Sequence, residues 1–262
     1  MSNKQQKIEF TAKNAKPFTA WLKRFASIDN TLLLEIDEVN SLFSSKIYNE
    51  EHSCIKFSKI SFDEAGFTVK SNKDPKKIRV GLFNISRLIK VIDQFNTEFT
   101  FTVTYDEVTS PSETNLAGLN IVLKNNELKI SVDCSSLNIF KYISDEKFIS
   151  EIAAVSEQTA EFTLTKENIE KINSLCNLDN DYKFMQFVNK DEKIYASGKA
   201  FELLLNESGS GVESKINIFK EQFSKVDIET YKVIMGTDRI VFNSNDSQTI
   251  TVTSMVENDE NS

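Results

Sequence analysis

A strand followed by a helix occurs four times along this chain, and this repetition limits the folds available to it more than any other feature does. In the clearest copy, residues 162–164 alternate apolar and polar as in a half-buried strand, and Thr165 can cap the helix that follows. Ile169, Ile172 and Cys176 then recur at helical spacing on one face. The pattern returns near residue 216 and occurs twice in the first half of the chain. The sequence therefore predicts a duplicated unit within each half.

The order of the predicted elements defines a fold class. The predicted helices cover residues 13–28, 84–96, 165–178 and 219–227, and each is followed by about three predicted strands. We therefore predict an α+β fold of two pseudo-symmetric domains, each a duplicated strand–helix–strands unit with helices on one face of antiparallel sheets. The predicted parts are an N-terminal domain (1–137), an interdomain connector (138–160), a C-terminal domain (161–256) and an acidic tail (257–262). Residues 106–117, which include Pro111 and several Ser and Thr residues, are predicted to form a surface loop.

The composition gives no sign of an enzyme or of a membrane protein. No apolar run approaches membrane-spanning length, and the polar N-terminus lacks the core of a signal peptide, so we expect a cytoplasmic protein with no membrane partner. The three cysteines are far apart, and the single histidine, His52, lies in a polar run. These residues form neither a metal-ligand pattern nor a nucleophile with its base. We therefore predict no catalytic residue, no metal site, no cofactor and no enzymatic activity.

Positive charge is concentrated in the predicted helices of this acidic chain. The net charge is −8, yet the four helical stretches hold ten basic and five acidic residues. A basic helical surface on an acidic body suits a phosphate backbone on one side and repels it elsewhere. Solvated helix faces also collect lysine without binding DNA, and most of the excess comes from the first helix. The residues predicted to face DNA are Lys13, Lys16, Lys23, Arg24, Arg87, Lys90, Lys166, Lys171, Lys220 and Lys225.

Several stretches resemble the DNA polymerase sliding clamps of tailed phages. Residues 21–30, which read Trp-Leu-Lys-Arg-Phe-Ala-Ser-Ile-Asp-Asn, together with the apolar run 32–34, resemble the first helix and strand of these clamps. Residues 162–172 resemble the start of the second clamp domain, and residues 231–235 and 249–253 resemble its end. The resemblance is densest over 18–34 and 162–256.

The resemblance implies a processivity factor with the fold of proliferating cell nuclear antigen (PCNA). In that family, subunits join head to tail into a closed ring around duplex DNA, with helices lining the hole and sheets outside. Two domains per chain imply a homotrimer. The implied partners are duplex DNA bound without sequence preference, the DNA polymerase that the ring holds on its template, an ATP-driven clamp loader and further copies of the chain. If the protein is phage-encoded, it is expected in the host cytoplasm.

The resemblance also implies two protein-binding surfaces. If the clamp order of strands holds, two edge strands form the subunit interface through Leu128, Ile130, Val132, Phe201, Leu203, Leu204 and Leu205. The connector is more apolar than a solvated linker requires, and with the last strand it is predicted to form a pocket for partner peptides. The predicted pocket residues are Phe140, Tyr142, Ile143, Val252 and Met255. The same residues would equally serve to seal a seam between domains.

Two other functions stay open at this point. A monomeric or dimeric processivity factor of the same fold would bind DNA by one basic face without closing a ring. A β-rich structural or adaptor protein of a virion would have no role on DNA. The mass of the protein in solution separates the ring from the open factor, and DNA dependence separates both from the virion protein.

Overall fold

The computed structural model describes residues 6–70, 74–109, 114–178, 182–207 and 212–255. Its helices are α1 (Lys16–Ala26), α2 (Ile85–Ile92), α3 (Lys166–Cys176) and α4 (Lys220–Phe223). Its strands are β1 (Gln6–Ala12), β2 (Leu32–Asp37), β3 (Leu42–Tyr48), β4 (Cys54–Ser61), β5 (Phe67–Val69), β6 (Lys77–Leu82), β7 (Phe99–Thr109), β8 (Thr114–Lys124), β9 (Lys129–Asp133), β10 (Gln158–Leu164), β11 (Phe184–Lys190), β12 (Lys193–Ser197), β13 (Glu202–Asn206), β14 (Ser214–Phe219), β15 (Tyr231–Gly236), β16 (Arg239–Ser244) and β17 (Thr249–Ser254). Short helical turns at Leu137–Ile139, Asp145–Lys147 and Phe148–Ile152 occupy the predicted connector. The predicted acidic tail, 257–262, lies outside the described residues.

By its internal contacts the chain divides into two compact units. Unit 1 comprises Met1–Ile47 and Phe57–Tyr142, and unit 2 comprises Tyr48–Lys56 and Ile143–Ser262. Unit 2 thus includes the tip of the β3–β4 hairpin, a segment that the linear boundaries predicted from sequence assign to the N-terminal domain. The predicted domain boundaries stay a prediction.

Unit 1 contains two groups of antiparallel strands. The first group has the order β4-β3-β2-β6, and the second has the order β9-β8-β7-β1-β5. The groups meet at one parallel pair of residues, Arg79 of β6 and Ala117 of β8. Beyond β9 the chain returns to β6, where Ser135 forms a bridge to Gly81. The chain just before the predicted connector is therefore anchored on β6 of unit 1.

The strand order of unit 1 recurs in unit 2. The group β13-β12-β11-β14 repeats β4-β3-β2-β6, and the group β17-β16-β15-β10 repeats β9-β8-β7-β1. Helices α3 and α4 hold the places of α1 and α2 in chain order, and among the described strands β5 alone lacks a counterpart. The predicted α+β fold of duplicated strand–helix–strands units is therefore confirmed.

Aromatic rings fill the core of unit 1. Phe18 of α1 packs on Phe43 and Phe67 from the sheets with ring centroids 4.8 and 5.0 Å apart, and Phe10 lies 5.6 Å from Phe43. The tilted and edge-on orientations are those that aromatic pairs favour. Helices α1 and α2 also pack against each other, so both press their apolar faces onto this core.

Unit 2 has a separate core that is smaller than the core of unit 1. Ile169 and Ile172 of α3 and Phe223 of α4 are fully buried in it. The ammonium group of Lys220 donates to the carbonyl of Cys176 at 3.1 Å, which ties the start of α4 to the end of α3. The two helices of unit 2, like those of unit 1, are therefore neighbours.

The predicted surface loop at 106–117 is wrong. Strands β7 and β8 continue through most of it, with Asp106 opposite Ala117, Glu107 opposite Leu116 and Val108 opposite Asn115. Thr and Val favour extended backbone, and the partner strand satisfies the backbone groups that a loop would leave to water. The polar composition that indicated a loop belongs instead to paired strands, and Asp106, Glu107 and Val108 of β7 are all exposed. Residues 110–113 lie outside the described part of the chain.

Two smaller elements also differ from the sequence prediction. Helix α4 is four residues long, whereas the sequence predicted a helix over 219–227. The side chain of Gln222 accepts the backbone N–H of Phe219 at 2.9 Å, and the chain turns after Ser224. Strand β5, which pairs with β1, was not predicted because three residues carry too short a pattern.

Candidate functional site

Helix α1 buries one face and exposes another that carries no carboxylate. Its buried face consists of Phe18, Thr19, Trp21, Leu22 and Phe25. The indole N–H of Trp21 donates to the hydroxyl of Ser58 at 3.0 Å, which fixes the rotation of the helix on the sheet. The exposed positions Lys16, Ala20, Lys23 and Ser27 consequently form one stripe. Arg24 is half-buried at its margin, and Lys13 is exposed just before the helix begins.

Helix α2 adds two exposed cations to the same unit. The side-chain oxygen of Asn84 accepts the backbone N–H of Arg87 at 2.7 Å and so caps the helix. Burial of Ile85, Leu88, Ile89 and Ile92 then turns Arg87 and Lys90 to solvent. Among the described residues, none offers a carboxylate partner to Arg87, Lys90, Lys23, Lys16 or Lys13.

Helix α3 carries as many exposed carboxylates as cations. The Thr165 hydroxyl accepts the backbone N–H of Asn168 at 3.2 Å, as the sequence predicts for an N-cap. Lys166 lies 3.9 Å from Glu170 one turn later, whereas Lys171 is exposed. The backbone N–H of Glu167 and the Thr165 hydroxyl lower the pKa of the Glu167 carboxyl, which stays ionised at the start of the helix.

The cations around α4 are engaged within unit 2. Lys220 donates to the Cys176 carbonyl, and Lys225, which follows the helix, lies 3.8 Å from Glu221. Both side chains are half-buried. The ten residues predicted to face DNA therefore differ in state. Those of α1 and α2, Arg24 apart, are exposed and have no ion-pair partner in the described ranges, and those of α3 and α4 are mostly paired. Whether they contact DNA stays a prediction.

A buried lysine in the hairpin tip that belongs to unit 2 was not predicted. Lys56 is fully buried and lies 3.0 Å from the Asp227 carboxylate. Beside it, the backbone carbonyl of Ser53 accepts the side-chain amide of Gln222 at 3.2 Å and the backbone N–H of Ser254 at 2.9 Å. In the sequence Lys56 occupies an ordinary position of a predicted strand, and its partner is more than a hundred residues away.

The two strands predicted to join subunits are edge strands within the described part of the chain. Strand β9 pairs only with β8, and β13 pairs only with β12. Their residues differ in exposure. Leu128 and Leu204 are 37 and 41% exposed, whereas Val132 is buried in the core of unit 1 and Ile130 is half-buried.

The apolar residues beside Leu204 turn inward. Leu203 lies opposite the buried Ala196, and Leu203, Leu205 and Phe201 pack partly against the core of unit 2. Leu204 is opposite Tyr195 on the outer face. Of the predicted interface residues on β13, Leu204 is thus the one whose side chain is free to meet another molecule.

The first residues of the predicted partner-peptide pocket are fixed on unit 1. The Phe140 ring covers Gly81, and the Tyr142 ring lies 3.4 Å from the Arg79 guanidinium in a cation–π contact. The same guanidinium donates to the side-chain oxygen of Asn115 at 2.5 Å. Tyr142 is 39% exposed.

The other pocket residues belong to unit 2. Met255 is 39% exposed and Ile143 is half-buried, whereas Val252 is 5% exposed. The side chain of Val252 therefore packs inside unit 2. The pocket as a whole stays a prediction.

Cys54 and Cys176 are buried, and Cys134 is half-buried. Burial raises the pKa of the Cys54 thiol to about 11 and that of Cys134 to about 12, and it also raises the pKa of Cys176. Because their pKa values are raised, all three thiols are protonated at neutral pH. The reactive form is the thiolate, so we expect these groups to react slowly. In the described ranges no three His, Cys, Asp or Glu residues come together as metal ligands, and no helix is long and apolar enough to cross a membrane.

Comparison with known proteins identifies the fold. No protein-family model and no curated protein sequence matches the chain. Among solved structures, PCNA of A. fulgidus, solved with the C-terminal region of FEN-1 bound, is 11% identical with a TM-score of 0.63 over 96% of this chain and 100% of its own. PCNA of Entamoeba histolytica is 12% identical with a TM-score of 0.63 over 95% of this chain and 98% of its own.

Bacterial clamps are similar over part of their length. The DNA polymerase sliding clamp of Pseudomonas aeruginosa is 9% identical with a TM-score of 0.61, and the alignment covers 96% of this chain and 65% of that one. The chain thus spans about two thirds of the bacterial clamp. At these identities the comparisons establish the fold: two units with the architecture shared by PCNA and the bacterial β subunit.

Proposed function

We propose that this protein is a DNA sliding clamp: a ring of three copies that encircles duplex DNA and tethers a replicative polymerase. The observation that carries the proposal is the clamp fold itself, which covers nearly the whole chain and repeats one strand order in both units. A fold alone hosts many functions, so this step is an analogy. The exposed cations of α1 and α2 support it, because a ring that slides needs contacts to phosphates and not to bases.

The duplication of strands supports head-to-tail joining. In unit 2, β17 ends where Ser254 donates to the carbonyl of Ser53, the residue that leads into β4. By the strand correspondence, β9 is the counterpart of β17 and β13 is the counterpart of β4. In the described part of the chain both β9 and β13 have an edge without a strand partner. The segment before β4 gives the end of β17 a backbone hydrogen-bond partner. In the same way, the free edge of β13 in a second copy can give β9 backbone hydrogen-bond partners.

Such an interface uses different surfaces on its two sides, so it closes into a ring when the rotation between copies permits. Two similar units per chain and three chains give the six-unit ring of the clamp family. A clamp of the tailed-phage type would then require a loader and would present its connector to the polymerase. The predicted pocket residues Phe140, Tyr142, Ile143 and Met255 are the candidates for that contact, whereas Val252 is buried in unit 2.

The mass of the native protein tests the proposal. The chain has a mass of 29.8 kDa, and a closed ring has three times this mass. Sedimentation or light scattering of a monomer would support an open processivity factor and contradict the ring.

The interface itself is tested by Leu204→Asp, because Leu204 is exposed at the β13 edge whereas Leu203 packs on the core. Val39→Asp, at a 61% exposed position in unit 1, is the matched control with the same change in charge. We expect Leu204→Asp to dissociate the ring into folded monomers and Val39→Asp to leave it intact. A Leu204→Asp variant that stays trimeric would place the interface elsewhere.

A further inference from the structure

We propose that the two units of this chain have unequal roles on DNA: the helices of unit 1 hold the duplex, and the helices of unit 2 contribute little to its binding. The inference rests on the proposed function and adds to it an assignment of the binding surface. In a ring of three copies, the cationic surface would then occur as three separate patches, one from each unit 1.

Unit 1 presents cations that are open to phosphates. The stretch 13–28 holds four cations and no carboxylate, and 84–96 adds two cations and one acid, Asp93. Lys16 and Lys23 lie on the exposed stripe of α1, and Arg87 and Lys90 lie on the exposed side of α2. None of these four side chains has an ion-pair partner among the described residues.

Unit 2 presents a surface whose charges cancel. The exposed stripe of α3 consists of Glu167, Glu170, Lys171 and Ser174. Glu170 lies 3.9 Å from Lys166, and Glu221 lies 3.8 Å from Lys225. The only cation of α3 without such a partner in the described part of the chain is Lys171, and its stripe carries two carboxylates.

Elementary electrostatics converts this difference into a difference in binding. At physiological salt, charges farther apart than about 8 Å are largely screened from each other, so a phosphate responds mainly to the nearest groups. An ion pair less than 4 Å long presents a neutral dipole to a phosphate, and its carboxylate repels the phosphate at short range. A phosphate beside Lys166 or Lys225 would also lie close to the carboxylate of Glu170 or Glu221. No described carboxylate is paired with Lys23 or Arg87.

Because the two units correspond element by element, the charges of their helices can be compared within one chain. Helix α3 holds in the element order of unit 2 the place that α1 holds in unit 1. Both helices are 11 residues long, so their exposed side chains can be compared position by position.

The test compares two variants with the same change in net charge. The unit 1 variant is Lys23→Glu with Arg87→Glu, and the unit 2 variant is Lys166→Glu with Lys171→Glu. All four side chains are exposed, so neither change opens a core. Binding of each purified protein to a short fluorescein-labelled duplex is followed by anisotropy between about 50 and 200 mM salt. Native mass is measured for every variant.

For the unit 1 variant we expect binding to weaken about tenfold or more at the low-salt end. The slope of log K against log salt should flatten by about 0.9 for each phosphate that the variant no longer neutralises. For the unit 2 variant we expect the slope to stay within error of that of the unaltered protein. Equal losses in both variants would overturn the inference and leave the proposed function standing. Losses in neither variant, or no duplex binding by the unaltered protein, would also overturn the inference, because the cations of unit 1 would then not hold the duplex by themselves. The proposed function, in which a loader places the ring on DNA, is tested separately by native mass.

Should the glutamate variants change the native mass, the milder pairs decide in their place. Lys23→Gln with Arg87→Gln and Lys166→Gln with Lys171→Gln remove the cations without adding acids. The same ordering of slopes is expected, and the same equality would refute it.

Discussion

Gly81→Ala would place a methyl group where the structure has no room for one. A β-carbon at Gly81 would lie 2.5 Å from the backbone oxygen of Ser135 and 2.6 Å from the ring of Phe140. Gly81 also accepts the backbone N–H of Ser135 at 2.8 Å, so the two stretches of chain cannot separate without losing this hydrogen bond. The substitution should therefore push the start of the connector off β6.

The size of the effect follows from two opposing terms. Overpacking of this kind costs about 1–3 kcal/mol, and here part of the obstacle is backbone, which cannot rotate away. Replacing Gly by Ala elsewhere stabilises by about 0.4–1 kcal/mol because the unfolded chain loses freedom. We expect a net loss of about 1–2 kcal/mol, opposite in sign to what glycine replacement gives where space is available.

The assay uses the one tryptophan of the chain. Trp21 is 3% exposed in the core of unit 1, so its fluorescence during urea unfolding follows the unit that contains Gly81. Phe140→Ala and the double variant Gly81→Ala/Phe140→Ala complete a cycle. If the ring is a main obstacle, the cost of Gly81→Ala should fall when Phe140 is truncated.

Two results would refute this account of Gly81. An unfolding midpoint equal to or above that of the unaltered protein would show that the connector does not rest on Gly81 as described. Full additivity in the cycle would show that the Phe140 ring and the added methyl group do not meet, which would remove the basis for placing Phe140 at this surface.

Two further predictions concern titrating groups. Burial alone would raise the pKa of Asp37, but hydrogen bonds from Lys77 and Asn40 outweigh it and lower the pKa below its usual range. The carboxylate therefore stabilises the fold fully above about pH 4, and it loses this effect as the pH falls through its lower, folded-state pKa. In urea unfolding, the loss of unfolding free energy caused by Asp37→Asn should be largest near neutrality and should shrink below about pH 4. The three thiols should react with a disulfide reagent only slowly at pH 8 and rapidly in denaturant, because burial raises their pKa in the folded protein; fast reaction of the native protein would contradict their placement.

The elements with strong local periodicity were predictable. The apolar stripe of α1, the N-cap at Thr165 and the alternation in β10 are encoded within a few residues, and each is found where the sequence predicts it. The duplicated order followed from these local patterns because it needed only the sequence of element types. The prediction of which strands lie at the edges followed from the resemblance to sliding clamps and not from any one residue.

Features that depend on distant partners were not predictable. The extension of β7 and β8 through 106–109 and 114–117 looks like a loop until each strand is known to pair with the other. Lys56 is a strand residue whose burial depends on Asp227. Val132 and Leu205 are apolar residues of predicted edge strands, which made them candidates for the interface. In the structure they pack against the cores of their units, and the sequence does not show this.

The prediction of DNA-facing residues from charge was also incomplete. Counting residues gives the helices a surplus of cations, but a count does not distinguish Lys23 from Lys166. The difference depends on whether a carboxylate one turn away reaches the ammonium group. The sequence shows that Lys166 and Glu170 are four residues apart, and the structure adds that their charged groups lie 3.9 Å apart.

The two strands proposed to join subunits, β9 and β13, are unlike each other, and this has a consequence for mixtures of intact and defective copies. A chain disabled at Leu204 still presents a sound β9 edge, so under head-to-tail joining it can enter an assembly that it cannot complete. At equal amounts of the two kinds, only about one in eight sets of three would contain no defective copy. A variant altered at one edge would consequently be dominant over the intact protein. A variant altered only on the helix face would lower DNA binding in proportion to the number of altered copies in the ring.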